Sequence, residues 1–382
     1  MRSKTRLTCL VFATVLMTSA LAAQTTPTYP LWHDLEPGKH AVGFQLLHVA
    51  TAAEGEKRRA VRIGLWYPAS APPDSQTMVH GNYVEISPSA TLDPKLETFL
   101  NESDRESQGR QFFDANADRH QESLENTNVA AIHNAKIDSG PYPLVLHSLG
   151  RNGNLFQHTI LWEYLASHGF VVATVAQHGK SLDDPWMDFD VDDLKIQLDD
   201  LRITLDHFRS QSFVDSSKIG VMGHSSGAVV GLWLAAEQPD VKAVVGLDGS
   251  INRREGKEVF KAGLEKKTVA APFLNICRWP HDEYDDGFMR HLKGDIVRIG
   301  FEKGIHFDFQ NWPAYQAFAQ ATEPSSLAVR SLDEAKNLFV ATARFTRLFL
   351  NQHLLDDAEA GARLRDKTVE LSSGQASIQI LP

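Results

Sequence analysis

Ile219-Gly220-Val221-Met222-Gly223-His224-Ser225-Ser226-Gly227-Ala228-Val229-Val230-Gly231-Leu232-Trp233-Leu234-Ala235-Ala236 is the stretch from which the fold can be read. Its first five residues suit a buried strand, and Val229 to Ala236 carries apolar and helix-forming residues. Between them Gly223-His224-Ser225-Ser226-Gly227 fits the pattern G-x-S-x-G, in which a sharp strand-to-helix turn raises a serine hydroxyl above the end of a sheet. Such a turn strains the serine backbone, so the residues two before and two after it must lack bulk that would strike the neighbouring strand or helix. Ser226 opens the helix, and its backbone N–H therefore lies at the positive end of the helix dipole, where a tetrahedral oxyanion would form beside Ser225. The rival reading is a plain Gly/Ser turn, with Gly227, Ala228 and Gly231 letting the helix pack close. The strand before, the helix after and the partners elsewhere in the chain favour the first reading.

Outward from this stretch, strands and helices alternate from Pro143 onward. Leu144–His147 reads as a short buried strand, Leu155–His168 as an amphipathic helix, Phe170–Val175 as a strand, and Val191–Phe208 as a helix with Leu194, Leu198, Leu201 and Leu205 on one face. Beyond Ala236, Val241–Leu247, Pro272–Cys277 and Ile296–Phe301 read as strands, and Leu332–Leu355 as the last strong helix. Near-continuous apolar strands alternating with helices predict a largely parallel sheet covered on both faces. The tail after Lys367 alternates weakly, as a marginal edge strand would. On the other side, Ala41–Val49 and Val61–Tyr67, the latter stopped by Pro68, read as an antiparallel pair. Residues 71–140 are polar, with helix-compatible pieces at Asp93–Leu100 and Gln108–Ile137; the segment is too long for a plain loop and predicts a helical insertion or lid.

A serine hydroxyl becomes nucleophilic when a base takes its proton, and a histidine base needs an acid to fix its tautomer. Sites in parallel α/β sheets lie at the carboxyl ends of strands, and of sixteen histidines His306, in Gly304-Ile305-His306-Phe307-Asp308-Phe309, directly follows the last core strand. Two acids satisfy the same rule. Asp248 follows Val244–Leu247 and is trailed by Gly249; Asp282 follows the next strand, within Asp282-Glu283-Tyr284-Asp285-Asp286, a run that also reads as a solvated charged loop. A second oxyanion donor is expected in Ser148-Leu149-Gly150-Arg151-Asn152-Gly153-Asn154, which could equally be a turn ending in Asn154 as a helix N-cap. His147, His178 and His224 also lie at strand ends, but they are too scattered for metal-ligand spacing. Neither a metal nor a cofactor is implied.

The N-terminus reads as an address. Arg2, Lys4 and Arg6 precede the apolar run Leu7–Leu21, and Ala20-Leu21-Ala22 is a small-x-small cleavage site, so residues 1–23 are expected to be a secretory signal peptide and 24–382 one catalytic domain. The run is too short and too often broken by threonine and serine for a membrane anchor. Its removal takes the chain from 38 to 35 basic residues against 48 acidic, a formal charge near −13, which disfavours nucleic acid as a partner. It also removes Cys9 and leaves Cys277 alone, so an exported chain of about 360 residues must rest on its core rather than on disulfides. No other segment is long and apolar enough to span a membrane.

Leu65-Trp66-Tyr67-Pro68-Ala69, Pro143-Leu144-Val145-Leu146-His147-Ser148-Leu149-Gly150, Gly223-His224-Ser225-Ser226-Gly227, Leu247-Asp248-Gly249 and Gly304-Ile305-His306-Phe307-Asp308-Phe309 together resemble the platelet-activating-factor acetylhydrolase and dienelactone-hydrolase-like serine esterases. The resemblance implies an α/β-hydrolase fold, expected here as a mostly parallel eight-stranded sheet with helices on both faces and the helical insertion at 71–140. It carries the acid onto Asp248 and the oxyanion donors onto the backbone N–H groups of Leu149 and Ser226. His147-Ser148-Leu149-Gly150 stands where the family usually has His-Gly-x-Gly, and Ser225 stands where the dienelactone hydrolases proper have cysteine. The expected function is that of an exported serine hydrolase cleaving small carboxylic esters of short acyl chain through Ser225, His306 and Asp248. An acyltransferase or amidase using the same residues, or a non-catalytic binding protein on a hydrolase scaffold, are the alternatives.

Overall fold

The computed structural model describes residues 28–50, 60–72, 75–86, 93–106, 117–181, 183–252, 254–280, 286–320, 331–366 and 376–381. Two long strands come first, β1 (Ala41–Ala50) and β2 (Ala60–Ala69), paired antiparallel from Ala41 opposite Ala69 to Ala50 opposite Ala60. The stretch that follows holds α1 (Asn82–Glu85), α2 (Pro94–Glu106), α3 (Ala117–Glu125) and the short strand β3 (Ala131–His133). The alternating part then runs β4 (Tyr142–Ser148), α4 (Thr159–Ser167), β5 (Val171–Val175), α5 (Val191–Arg209), β6 (Val214–His224), α6 (Ser226–Glu237), β7 (Val241–Leu247), α7 (Arg254–Gly263), β8 (Phe273–Arg278) and β9 (Ile296–Phe301). Helices α8 (Trp312–Ala319), α9 (Leu332–Leu354) and α10 (Ala358–Arg365) and the strand β10 (Ala376–Leu381) close the described chain.

All of these strands form one sheet in the order β10-β9-β8-β7-β6-β4-β5-β2-β1-β3. The block from β5 through β4, β6, β7 and β8 to β9 is parallel, because each crossover is long enough to carry the chain back over a face. Successive side chains on these strands enter opposite layers. Val145, Met222, Val245 and Leu274 face the layer with α4 and α9, while Leu144, Leu146, Val221, Val244 and Phe273 face the layer with α5 and α6. That is why the strands read as unbroken apolar runs: both faces are interior. Helix α5 shows how the layers are held. Its Leu194, Leu198, Leu201 and Leu205 are buried, each stabilising the fold by about 2 kcal/mol. Asp190 caps the helix by accepting from the N–H groups of Asp192 and Asp193.

The sheet has ten described strands where eight were expected. One extra strand is β3, which lies inside the Gln108–Ile137 piece expected to be helical; of that piece the described helix is α3, and Ala131-Ile132-His133 pairs instead with the outer edge of β1. Three residues are too few for any periodicity to announce a strand, and the unpaired edge of β1 decides the outcome. The other is the tail, whose weak alternation does become an edge strand antiparallel to β9. Helix α4 starts at Thr159 rather than Leu155, and Asn154 caps the preceding turn through Phe156 N–H rather than the helix. Residues 1–27, with the expected signal peptide, lie outside the described residues.

Candidate active site

The first turn of α6 is built around Ser225, whose φ of 55° and ψ of −122° lie in a region that costs a non-glycine residue conformational energy. The surroundings over-determine it. Ser225 N–H donates to Leu247 C=O at 3.1 Å, and its own carbonyl accepts from Ala228 and Ser250 at 3.2 and 3.0 Å. A Cβ on Gly223 would lie 2.2 Å from the carbonyl oxygen of Gly227, and one on Gly227 would lie 2.1 Å from that of Ser148. Both flanking positions therefore require glycine, as the sequence pattern predicts.

The loop after β4 presses against this turn. Gly150 approaches so closely that a Cβ there would sit 3.1 Å from Ser225 Cβ. The Leu149 carbonyl accepts from Gln177 Nε2 at 2.8 Å and Gln197 Nε2 at 2.7 Å, and Gln197 Nε2 also bonds Ser148 Oγ at 2.8 Å. Two buried glutamines, one beyond β5 and one on α5, thus fix the peptide planes around Leu149. Ser226 is fully buried at the first position of α6, where helical geometry leaves the backbone N–H without an intrahelical acceptor.

Asp248 leaves the end of β7 with φ of 43°, and Asp248 N–H is held by Ile276 C=O at 2.7 Å. Its buried carboxylate accepts from His306 Nδ1 at 2.5 Å, from Arg278 Nε at 2.9 Å and from Arg278 N–H at 3.2 Å. Burial alone would raise this carboxyl, but the hydrogen bond and charge of His306, joined by the Arg278 guanidinium, more than reverse it and hold the group well below the usual carboxylate range. His306 opens a short 3-10 turn, His306–Phe309, and its side chain keeps about a quarter of its surface accessible. Asp282, the other candidate acid, falls in 281–285 and lies outside the described residues.

His224, the residue before the serine, stacks on His306 with ring centroids 4.6 Å apart. Gln310 Nε2 donates to its Nδ1 at 3.2 Å, which leaves Nε2–H to donate to the His306 carbonyl at 3.2 Å. Behind it the rings of His158 and His147 continue inward, with centroid spacings of 5.4 and 4.6 Å. Burial pushes His147 down to about 3 and His158 and His224 far below their ordinary value, so this inner wall is neutral. Ser225 Oγ is 3.2 Å from Ser250 Oγ, its hydrogen-bond partner among the described residues.

Three groups at this site gave no sequence signal: Arg278, the Gln177/Gln197 pair and Gln310. Each is a lone polar residue whose partner is far away in the chain. One acidic trio elsewhere, Asp188, Asp190 and Asp193, brings its oxygens within 4.8 Å of one another. Those oxygens are engaged already, since Lys180 Nζ bonds Asp190 at 2.8 Å and lies 3.6 Å from Asp188, while Asp193 accepts from the N–H groups of Lys180 and Asp188.

Against known proteins, residues 156–256 match the prolyl oligopeptidase family. The ferulic acid esterase from Streptomyces cinnamoneus superposes with a TM-score of 0.60 over 90% of this chain and 97% of that one, at 19% identity. The chain has the α/β-hydrolase fold. Cutinase 2 of Thermobifida cellulosilytica is 37% identical over 113 residues, which is 29% of this chain and 40% of that protein. Cutinase est2 of Thermobifida alba is 30% identical over 161 residues, 38% of this chain and 51% of that protein. The chain thus spans about half or less of these curated relatives. Among the described residues no helix is long and apolar enough to cross a membrane.

Proposed function

We propose that this α/β-hydrolase is an exported serine esterase of the acetylhydrolase-like branch, with Ser225 as nucleophile, His306 as base and Asp248 as the acid that orients it. The observation that carries the reading is the 2.5 Å contact of His306 Nδ1 with the buried Asp248 carboxylate, beside a serine held at a φ of 55°. Ser225 Oγ bonds to the carbonyl carbon of a carboxylic ester while His306 Nε2 takes its proton. The oxyanion is received by the backbone N–H groups of Leu149 and Ser226. The leaving alcohol takes the proton from His306, and water releases the acyl group by the same path. Asp248 balances the imidazolium in both halves.

Relatives named as cutinases and a structural neighbour named as a ferulic acid esterase support an ester as the substrate. The rings of His224, His158 and His147, tilted and edge-to-face against one another, occupy the interior behind the serine turn, which supports a short acyl group. Residues 71–140 act as a lid at the site's edge in this reading. In its support, Asp104 of α2 accepts from Leu155 N–H at 3.2 Å, just beyond the Leu149 loop, and Phe99 packs on Trp186 at 5.1 Å. Residues 1–23 direct export and are removed.

The test is a series of p-nitrophenyl esters from acetate to octanoate, a matched anilide, and product partition in the presence of an added alcohol. Fast release from the short esters, slow release from the anilide and water as the main acyl acceptor are expected. Preferred cleavage of the anilide, or acyl transfer to the alcohol in excess of hydrolysis, would give the same residues an amidase or transferase role instead.

A further inference from the structure

Ser250 is delivered to the nucleophile by the backbone. After Asp248 the chain turns at Gly249, where a Cβ would come within 2.7 Å of Ala228 Cβ, and it passes against the first turn of α6 into the 3-10 turn Ser250–Asn252. Ser250 N–H donates to the Ser225 carbonyl at 3.0 Å and buried Ile251 anchors the turn, so the 3.2 Å approach of Ser250 Oγ to Ser225 Oγ is a fixed one. Among the described residues Ser250 Oγ has Ser225 Oγ as its hydrogen-bond partner.

We propose that Ser250 is a further catalytic residue, a hydroxyl donor to Ser225 Oγ that promotes breakdown of the acyl-enzyme; the inference rests on Ser225 being the nucleophile. While Ser225 carries its proton, either hydroxyl of the pair can donate. Once that proton is on His306, or once Ser225 Oγ is the bridging oxygen of the acyl-enzyme, Ser225 has lone pairs only and Ser250 must be the donor. In deacylation His306 takes a proton from water as the water oxygen bonds to the acyl carbon. The tetrahedral intermediate then collapses, the C–Oγ bond breaks with its electron pair going to Oγ, and Oγ receives the proton from His306. Ser250 keeps its own proton throughout. Its hydrogen bond draws electron density from the ester, which favours attack by water, and it strengthens as charge builds on the departing Oγ. In acylation the free hydroxyl oxygen of Ser225 is a better acceptor than the bridging oxygen of the ester, so the bond is already strong in the ground state and gains less in the transition state.

Steady-state turnover of p-nitrophenyl acetate, with quenched samples analysed by intact mass, gives the acylated fraction and hence separate acylation and deacylation rates. Ser250→Ala is expected to slow deacylation about tenfold, the loss of one hydrogen bond made in the transition state, while acylation and fluorophosphonate labelling stay within about threefold of wild type. Ser250→Thr, which keeps the hydroxyl, should restore deacylation. An unchanged deacylation rate in the alanine variant overturns the inference. So does an equal loss of labelling and turnover with a lowered thermal midpoint, which marks a packing role. A wild-type enzyme without label at Ser225 is a different failure, since it removes the nucleophile and Ser250's role with it.

Discussion

Asp248 carries opposite demands in one carboxyl group. It is fully buried, which disfavours charge, yet His306 and Arg278 together keep it ionised. Asp248→Asn presents an amide that neither balances the imidazolium nor selects its tautomer, and kcat should fall on the order of 10⁴-fold. Asp282→Asn is the control and should leave kcat near wild type; the reverse outcome in two well-folded variants would move the acid to Asp282. The pH sense follows from the direction of the shift. A folded pKa below the ordinary value of 3.8 means that Asp248 contributes stability above about pH 4, lost as pH falls from there towards the folded value. At this scale the sequence pointed to the groups proposed for the chemistry, because Ser225 and Asp248 directly follow strands and His306 lies in the short loop after β9. It was silent on Arg278 and Gln310, for whom nothing local distinguishes a site residue from a surface one.

Helix α2 belongs to the segment proposed as a lid, and one carboxylate ties it both to the sheet and to the loop before α4. Arg62 of β2 and Asp104 form a buried ion pair at 3.3 Å, and the second oxygen of Asp104 holds Leu155 N–H beside the Leu149 loop. Burial outweighs Arg62 and raises Asp104 from 3.8 to about 6, the opposite sense to Asp248. A raised folded pKa contributes stability that is fully present below about pH 4 and is lost as pH rises through about 6, a change on the order of 3 kcal/mol. Denaturant unfolding between pH 4.5 and 7.5 should show this decline, and Asp104→Asn should flatten it; a variant with the wild-type slope would place the titration elsewhere. The core strands were legible because both of their faces are apolar, and α5 because Leu194, Leu198, Leu201 and Leu205 recur at helical spacing. Strand β3 and the start of α4 were not. Each is settled by a neighbour far away in sequence, the free edge of β1 in one case and the packing of Asn311 near Phe156 and Ile160 in the other.

Over the whole molecule, a doubly covered sheet gathers the ends of β4, β6, β7 and β9 at one edge, and the acidic balance of the chain disfavours a polyanionic partner. The long parallel block makes the scaffold rigid enough to hold a strained serine, and three short strand-end turns bring Ser225, Asp248 and His306 to it from stretches that span 82 residues of chain, 225 to 306. The same scaffold with an idle site would be a binding protein, and what would distinguish an esterase from it is covalent chemistry at Ser225. Fluorophosphonate labelling of the purified chain, read by intact mass and by the modified peptide, tests it most directly. One label per chain on the Ser225 peptide, absent in Ser225→Ala of unchanged thermal midpoint, is the predicted result; a wild-type protein that takes no label, or a Ser225→Ala variant that still does, contradicts it.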